Sequence, residues 1–218
     1  MQTYNLVVHM ESEAVFGSGE SVPGYVDLEI LHDEAGLPFL KSKTLKGKLR
    51  EEAVNLAKRF DQMAPALGAS ELVSRLFGEG GATFTTLLRV SDLKVSRGVE
   101  QMLKKGLEGL FSAQDVLDSL TEIRSYTSID QTTGRAKDQT LRQIRVLKNG
   151  LTFHSTFHAE RPLSEVEEEL LVASVAALRQ IGAMQSKGKG KIRTELYKDG
   201  EELTPKALDS LYRKVVQS

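Results

Sequence analysis

The chain of 218 residues is 40% hydrophobic and carries 29 basic and 30 acidic side chains, a formal net charge of −1. This balance excludes a uniformly basic nucleic-acid binder, although cations can still be concentrated on one surface. The lack of cysteine excludes disulfides, thiolate metal sites and a cysteine nucleophile, and fits a cytoplasmic protein. We expect no membrane partner, because no apolar run approaches the length of a span and the N-terminus does not resemble a signal peptide.

The first 60 residues predict two strands followed by a helix. Alternation of apolar and polar side chains predicts strands over residues 4–10 and 25–31. Turn residues over 33–38 close the second strand. Thr44 is then expected to cap a helix, because apolar side chains recur from there to Phe60 at a spacing of three or four residues.

The next 60 residues predict a short helix, a strand and a weaker helical stretch. Ser70 is expected to cap the short helix over 71–77, and Gly78 is expected to end it. A strand over 83–95 follows a run of glycines. Weaker helical periodicity predicts a helical insertion over 97–124, in which Ser112 and Asp115 are expected to form a capping box.

The rest of the chain predicts further strands and two more helices. Two strands are expected within 125–157, on either side of a polar connection. A long helix is predicted to begin with a capping box at Ser164 and to end at Gly182. A strand over 191–197 and a final helix that starts at Thr204 complete the chain.

Short strands that alternate with helices and hairpin signals favour an α+β fold, with an antiparallel sheet and helices on one face. No linker rich in proline, glycine and serine divides the chain, and no short repeat is present. We therefore expect one domain over residues 1–218, with insertions.

Basic side chains are concentrated in two stretches, 41–50 and 184–193, neither of which contains an acid. In the second stretch lysines alternate with Gly188 and Gly190. Glycine lets a backbone approach a phosphate chain closely, and lysine supplies counter-charge without reading bases. The alternative interpretation is that the first stretch is a solvated helix face and the second a hairpin turn.

Four stretches resemble the motifs of one family, in the family's order. They are Asp27–Arg50, with Gly36-Leu37-Pro38 and Leu45-Lys46-Gly47-Lys48-Leu49-Arg50; Leu76-Phe77-Gly78 before a strand that ends in Val90-Ser91-Asp92; Ile129–Ala136; and Gly182–Gly190. Each stretch alone is weakly specific, but the ordered set resembles the RAMP superfamily of CRISPR-associated proteins. The chain is most similar to the Cas-seven-type backbone subunits of type III effector complexes. It carries Lys189 where those subunits have an aromatic residue.

The resemblance implies a ferredoxin-like core and a thumb-like β-hairpin over about 125–145. It also implies that copies of the protein stack along a guide RNA, beside other type III effector subunits. In that family each thumb wedges into the duplex of guide and complementary target RNA. Both RNAs are therefore expected partners.

The resemblance further implies that Asp27 supports cleavage of target RNA together with Mg²⁺ or another divalent metal. RNA carries its own nucleophile, the 2′-hydroxyl, so an enzyme mainly has to align it with the scissile phosphate. Asp27 would serve as both catalytic residue and metal ligand. The alternative is that Asp27 only accepts backbone hydrogen bonds in a loop. His32 is a second, weaker candidate for a base.

The expected RNA contacts combine the basic stretches with the thumb. They are Lys43, Lys46, Lys48, Arg50, Ile129, Arg135, Lys137, Lys187, Gly188, Lys189, Gly190 and Lys191.

Three functions remain open from the sequence. The first is a backbone subunit that holds guide RNA and cuts target RNA at regular intervals. The second is a structural backbone subunit without activity. The third is a guide-processing endoribonuclease of the same superfamily, against which the Asp27–Arg50 and thumb-like stretches argue.

Overall fold

The structure is a computed structural model that describes residues 1–63, 65, 68–78, 86–107, 109–128, 134–135 and 140–216, without the side chains of 211, 212 and 214–216. The strands of this part of the chain are β1 (Gln2–Met10), β2 (Leu88–Val90), β3 (Thr121–Tyr126), β4 (Arg142–Leu147), β5 (Thr152–Ala159), β6 (Ile192–Lys198) and β7 (Glu201–Glu202). Its helices are α1 (Ser42–Met63), α2 (Ala69–Phe77), α3 (Arg97–Gly106), α4 (Ala113–Leu120), α5 (Glu165–Ala177) and α6 (Thr204–Val216).

The main sheet has the strand order β2-β5-β1-β6-β7, and every neighbouring pair is antiparallel. The helices α1 and α2 connect β1 to β2, and α5 connects β5 to β6. The predicted α+β class with an antiparallel sheet is confirmed. The order is compatible with a ferredoxin-like core, which stays a prediction, as does the division into one domain with insertions. A second sheet pairs β3 with β4.

The core lies between one face of the main sheet and the helices. Alternate residues of β1, such as Tyr4 and Leu6, and of β5, such as Phe153 and Phe157, are fully buried there. Each such side chain stabilises the fold by roughly 1.5–3 kcal/mol. No helix in the described part of the chain is both long and apolar enough to cross a membrane.

Two predicted helix starts are wrong, because the caps come from distant carboxylates. The helix α1 begins at Ser42 instead of after Thr44, and the Ser42 N–H donates to Asp92 Oδ1 at 2.7 Å. The helix α2 begins at Ala69, so Ser70 lies inside it. There Asp61 accepts the N–H of Ala69 at 2.7 Å. Neither carboxylate is within the local pattern that identifies a cap.

Four other elements differ from the prediction. Residues 121–124, expected to be helical, form the start of β3, because they pair with β4. Residues 25–31 form isolated bridges instead of a regular strand. The helix α5 ends at Ala177, before Gly182. The strand expected over 83–95 is regular only over Leu88–Val90, and 83–85 lie outside the described residues.

Candidate nucleic-acid interface

Asp27 lies at the base of the β3–β4 hairpin. Its backbone N–H donates to the carbonyl of Gln143 at 2.7 Å, and its Oδ2 accepts the N–H of Gln143 at 2.6 Å. Gln143 is opposite Ser125 on β3. Asp27 is therefore fixed on the outer edge of β4, where the hairpin leaves the protein body.

The carboxylate of Asp27 is exposed, and among the described residues its only hydrogen bond comes from Gln143. No group of three or more His, Asp or Glu side chains in the described part of the chain is arranged to hold a metal ion. A single carboxylate does not make a protein cage for Mg²⁺, which takes near-octahedral oxygen ligands. These residues therefore do not fit a resident metal.

The nearby Asp33 and the candidate base His32 both make hydrogen bonds within the turn over 33–38. Asp33 Oδ1 accepts the N–H groups of Ala35 at 3.0 Å and Leu37 at 2.9 Å. The exposed ring of His32 places Nδ1 at 3.0 Å from the carbonyl oxygen of Asp33. Both contacts stabilise the loop that follows Asp27.

A buried ion pair lies directly behind Asp27. Glu29 is two residues after Asp27, and Arg145 is two residues after Gln143. Arg145 Nε lies 3.0 Å from Glu29 Oε1. The Arg145 side chain is only 3% exposed and also donates to Asp118 at 2.8 Å and Thr121 at 3.0 Å. The pair thus anchors the Asp27 segment to β4 and to α4. Sequence reasoning missed it, although an arginine between apolar strand residues was the available signal.

The glycine-rich stretch 182–190 is held close to the protein body. Gly190 has φ +76°, and a Cβ there would lie 2.0 Å from the carbonyl oxygen of Ile181. Its N–H donates to the carbonyl of Glu13 at 2.7 Å, and the N–H of Lys191 donates to Ser12 Oγ at 2.9 Å. The stretch is therefore anchored, and Gly190 is needed because no larger residue fits.

Cations of this stretch meet the side chains of β3. The Lys187 ammonium lies 5.0 Å from the centre of the Tyr126 ring, and Lys189 forms an ion pair with Glu13. Arg124 binds Glu13 as well, with Nε at 2.9 Å from Oε1. Burial raises the pKa of Glu13, but the hydrogen bonds from Arg124 and Lys189 outweigh it and hold that pKa below its usual range.

Exposed cations are present both on the glycine-rich stretch and on the hairpin. Lys187 and Lys191 are exposed, as are Gly188 and Arg142, the residue opposite Tyr126. Tyr126 was not among the sequence candidates, since one aromatic residue at a strand end carries little signal.

Cations on α1 are divided between internal and outward roles. Lys46 Nζ donates to Thr86 Oγ1 at 2.6 Å and to the carbonyl of Leu88 at 2.8 Å, and desolvation lowers its pKa. Arg50 Nε donates to the carbonyl of Gly78 at 2.8 Å. Lys48 pairs with Glu51 at 2.8 Å, and Lys43 is exposed. Lys46 and Arg50 thus hold neighbouring segments against α1.

The thumb candidates are only partly within the described residues. Arg135 is exposed, whereas Ile129 and Lys137 lie outside the described part of the chain. At the stem of the hairpin, the hydroxyls of Thr127 and Thr140 are 3.0 Å apart. The wedging role of the thumb stays a prediction.

Three comparisons place this geometry among known proteins. The family model of the RAMP superfamily matches residues 9–193. A chain in the cryo-EM structure of type III-B Cmr-beta bound to cognate target RNA has a TM-score of 0.66 at 12% identity, over 90% of this chain and 97% of that chain. A chain in the apo-state structure of type III-B Cmr-beta has a TM-score of 0.65 at 13% identity, over 92% of this chain and 99% of that one. No curated protein sequence gives a significant match.

Proposed function

Because this chain belongs to the RAMP superfamily, we propose that it is a backbone subunit of a type III CRISPR effector complex that holds guide RNA and cleaves complementary target RNA. One observation carries the proposal: Asp27 bonds to Gln143 of β4 and Lys187 lies over Tyr126 of β3, so two stretches that are far apart in sequence both reach the base of the same hairpin. The likeness to chains of Cmr-beta, one of them bound to cognate target RNA, supports it. The proposed partners are both RNAs, further copies of the chain and other effector subunits.

The binding step would use the outward cations around the hairpin. Lys187, Lys191 and Arg142 would contact phosphates, since cations on phosphates position RNA without reading its sequence. The absence of a side chain at the exposed Gly188 would let the RNA backbone approach, whereas Gly190 is buried against Ile181. The half-buried ring of Tyr126 would hold the Lys187 ammonium in place for its phosphate contact.

The cleavage step would use Asp27 to orient the 2′-hydroxyl of the target RNA. Its hydrogen bond from Gln143 fixes the carboxylate, so little reorganisation is needed when RNA binds. Lys187 would offset charge that develops on the phosphate. Any requirement for Mg²⁺ or another divalent ion would have to be met largely by RNA phosphates and water, because the protein contributes one carboxylate.

A catalytically inactive backbone subunit is the second candidate, and the isolation of the Asp27 carboxylate favours it. Incubating the purified assembly and its guide RNA with labelled complementary RNA, with and without Mg²⁺, separates the two. We expect products at regular intervals from the unaltered protein, none from Asp27→Ala, and normal cleavage from Glu34→Ala, an exposed acid in the following turn. Target binding without cleavage by the unaltered protein would favour the inactive subunit.

A further inference from the structure

The face of the main sheet that points away from the core is not covered by any helix in the described part of the chain. Residues of β1 and β5 that alternate with the buried ones, including Asn5, His154, Thr156 and His158, remain accessible. Together with the segment 91–97 they line a groove of about 740 Å³. A groove of this size can hold several groups of an extended ligand.

The charges of the groove favour an anion. Its two acids have internal partners: Asp92 accepts the N–H of Ser42 at 2.7 Å, and Glu100 pairs with Lys104 at 2.6 Å. Its two cations, Lys94 and Arg97, form no ion pair within the described residues. Lys94 lies 5.5 Å above the ring of Phe39 and has no ion pair among the described residues.

Arg97 adds to the difference between the partnered acids and the unpaired cations. Its side chain makes no hydrogen bond or ion pair within the described part of the chain. It is also the first residue of α3, a ten-residue helix whose N-terminal N–H groups add partial positive charge. The groove therefore presents two cations without an ion pair in the described part of the chain, while Glu100 is paired with Lys104 and Asp92 is held by the Ser42 N–H.

Uncharged groups on the floor of the groove suit the bases of a nucleic acid. Desolvation, and to a smaller extent His9, lowers the pKa of His154, which favours the neutral form of its ring. Neutral imidazole rings can stack on bases, and Asn5 and Thr156 can donate or accept hydrogen bonds. The two central strands of a helix-backed antiparallel sheet are also where RNA-recognition domains stack bases.

We infer that this groove is a second binding site, which takes the phosphodiester chain of single-stranded RNA. Lys94 and Arg97 contact phosphates, and His154 and His158 contact bases. The site shares no residue with the hairpin base and does not require cleavage, so it goes beyond the proposed function. A free phosphate ion shares the phosphate chemistry but would not engage the histidines.

The four histidines make a direct experiment possible, because three lie on the open face and His32 lies in the turn after Asp27. The ring resonances of tag-free protein are followed by NMR while an oligouridine of about ten nucleotides is added. We expect the resonances of His154 and His158 to shift most, because their rings lie on the floor of the groove, whereas His32 lines a neighbouring pocket. Lys94→Gln/Arg97→Gln should reduce these shifts and weaken binding at this site at least tenfold.

Lys58→Gln/Arg59→Gln is the matched control, since both side chains are exposed on α1, on the other side of the sheet. It should leave the histidine shifts unchanged. RNA that binds without moving His154 and His158 would overturn the inference and leave the hairpin site intact. Equal shifts with inorganic phosphate, or with an acidic peptide at the same concentration, would also overturn it. A total lack of RNA binding would contradict this site and the proposed function together.

Discussion

Replacing Arg145 by methionine tests the buried contact that fixes the Asp27 segment to β4. Arg145 is 3% exposed and bonds to Glu29, Asp118 and Thr121. Removing it leaves Glu29, itself 8% exposed, as a buried charge without its partner. Losing one member of a buried pair costs roughly 3–5 kcal/mol. We expect about 3 kcal/mol for Arg145→Met, the low end, because the half-exposed Asp118 can turn to water.

The assay is urea unfolding followed by circular dichroism, with the midpoint and the slope both recorded. Arg89→Met is the control, because Arg89 and Glu160 form an exposed ion pair and its loss should cost less than about 1 kcal/mol. The double variant Glu29→Met/Arg145→Met should recover most of the lost stability, since two apolar side chains replace the pair. A loss below about 1 kcal/mol for Arg145→Met, or no recovery in the double variant, would refute the reasoning.

Four further predictions concern the RNA site, the glycine-rich stretch, the pH dependence and the thumb. Lys187→Gln/Lys191→Gln should weaken RNA binding and reduce the slope of log affinity against log salt by about 1.4, that is about 0.7 for each phosphate that is no longer neutralised; an unchanged slope in a salt titration would place the stretch away from RNA. Gly190→Ala should destabilise the protein more than Gly188→Ala, because only the first puts a Cβ against a backbone carbonyl, and equal unfolding midpoints would contradict this. Hydrogen bonds from Arg161, and to a smaller extent from Ser164, lower the pKa of Glu167 from 4.5 to about 2, so the stabilisation, on the order of 2 kcal/mol, is present above pH 4.5 and is lost as the pH falls towards 2. Glu167→Gln should remove that part of the pH dependence of the unfolding free energy, and an identical acid profile would exclude the contact. Replacing residues 131–137 by a short glycine bridge should keep the core folded but abolish the regular spacing of cleavage products, which gel electrophoresis of labelled target RNA measures.

Local sequence signals predicted the structural features that depend only on neighbouring residues, such as capping boxes. The capping box at Ser164 is present, with its side chain bonded to the N–H of Glu167, and so is the one at Ser112. The caps from Asp61 and Asp92 were not predictable, because Asp92 is 50 residues from the helix start that it caps. A helix cap supplied by tertiary packing leaves no periodic or local signal in the sequence around the helix start.

The same distinction applies to the candidate site. Charge counting identified Lys46 and Arg50 as RNA contacts, but it cannot show that their side chains donate to carbonyls inside the protein. It also assigned equal roles to Lys187 and Lys189, whereas Glu13 holds Lys189 and leaves Lys187 outward. The sequence shows which cationic side chains are present, whereas the packing of the fold determines which of them have internal partners and which point outward.

Photo-crosslinking of the purified assembly tests most directly whether RNA is held at the hairpin base. Guide RNA that contains 4-thiouridine is irradiated in the complex, and the attached peptides are identified by mass spectrometry. We expect crosslinks on the peptides that contain Tyr126 and Lys187–Lys191, and their loss when Lys187 and Lys191 are replaced by glutamine. Crosslinks that are absent from both peptides, in an assembly that still holds its guide RNA, would contradict the proposed function.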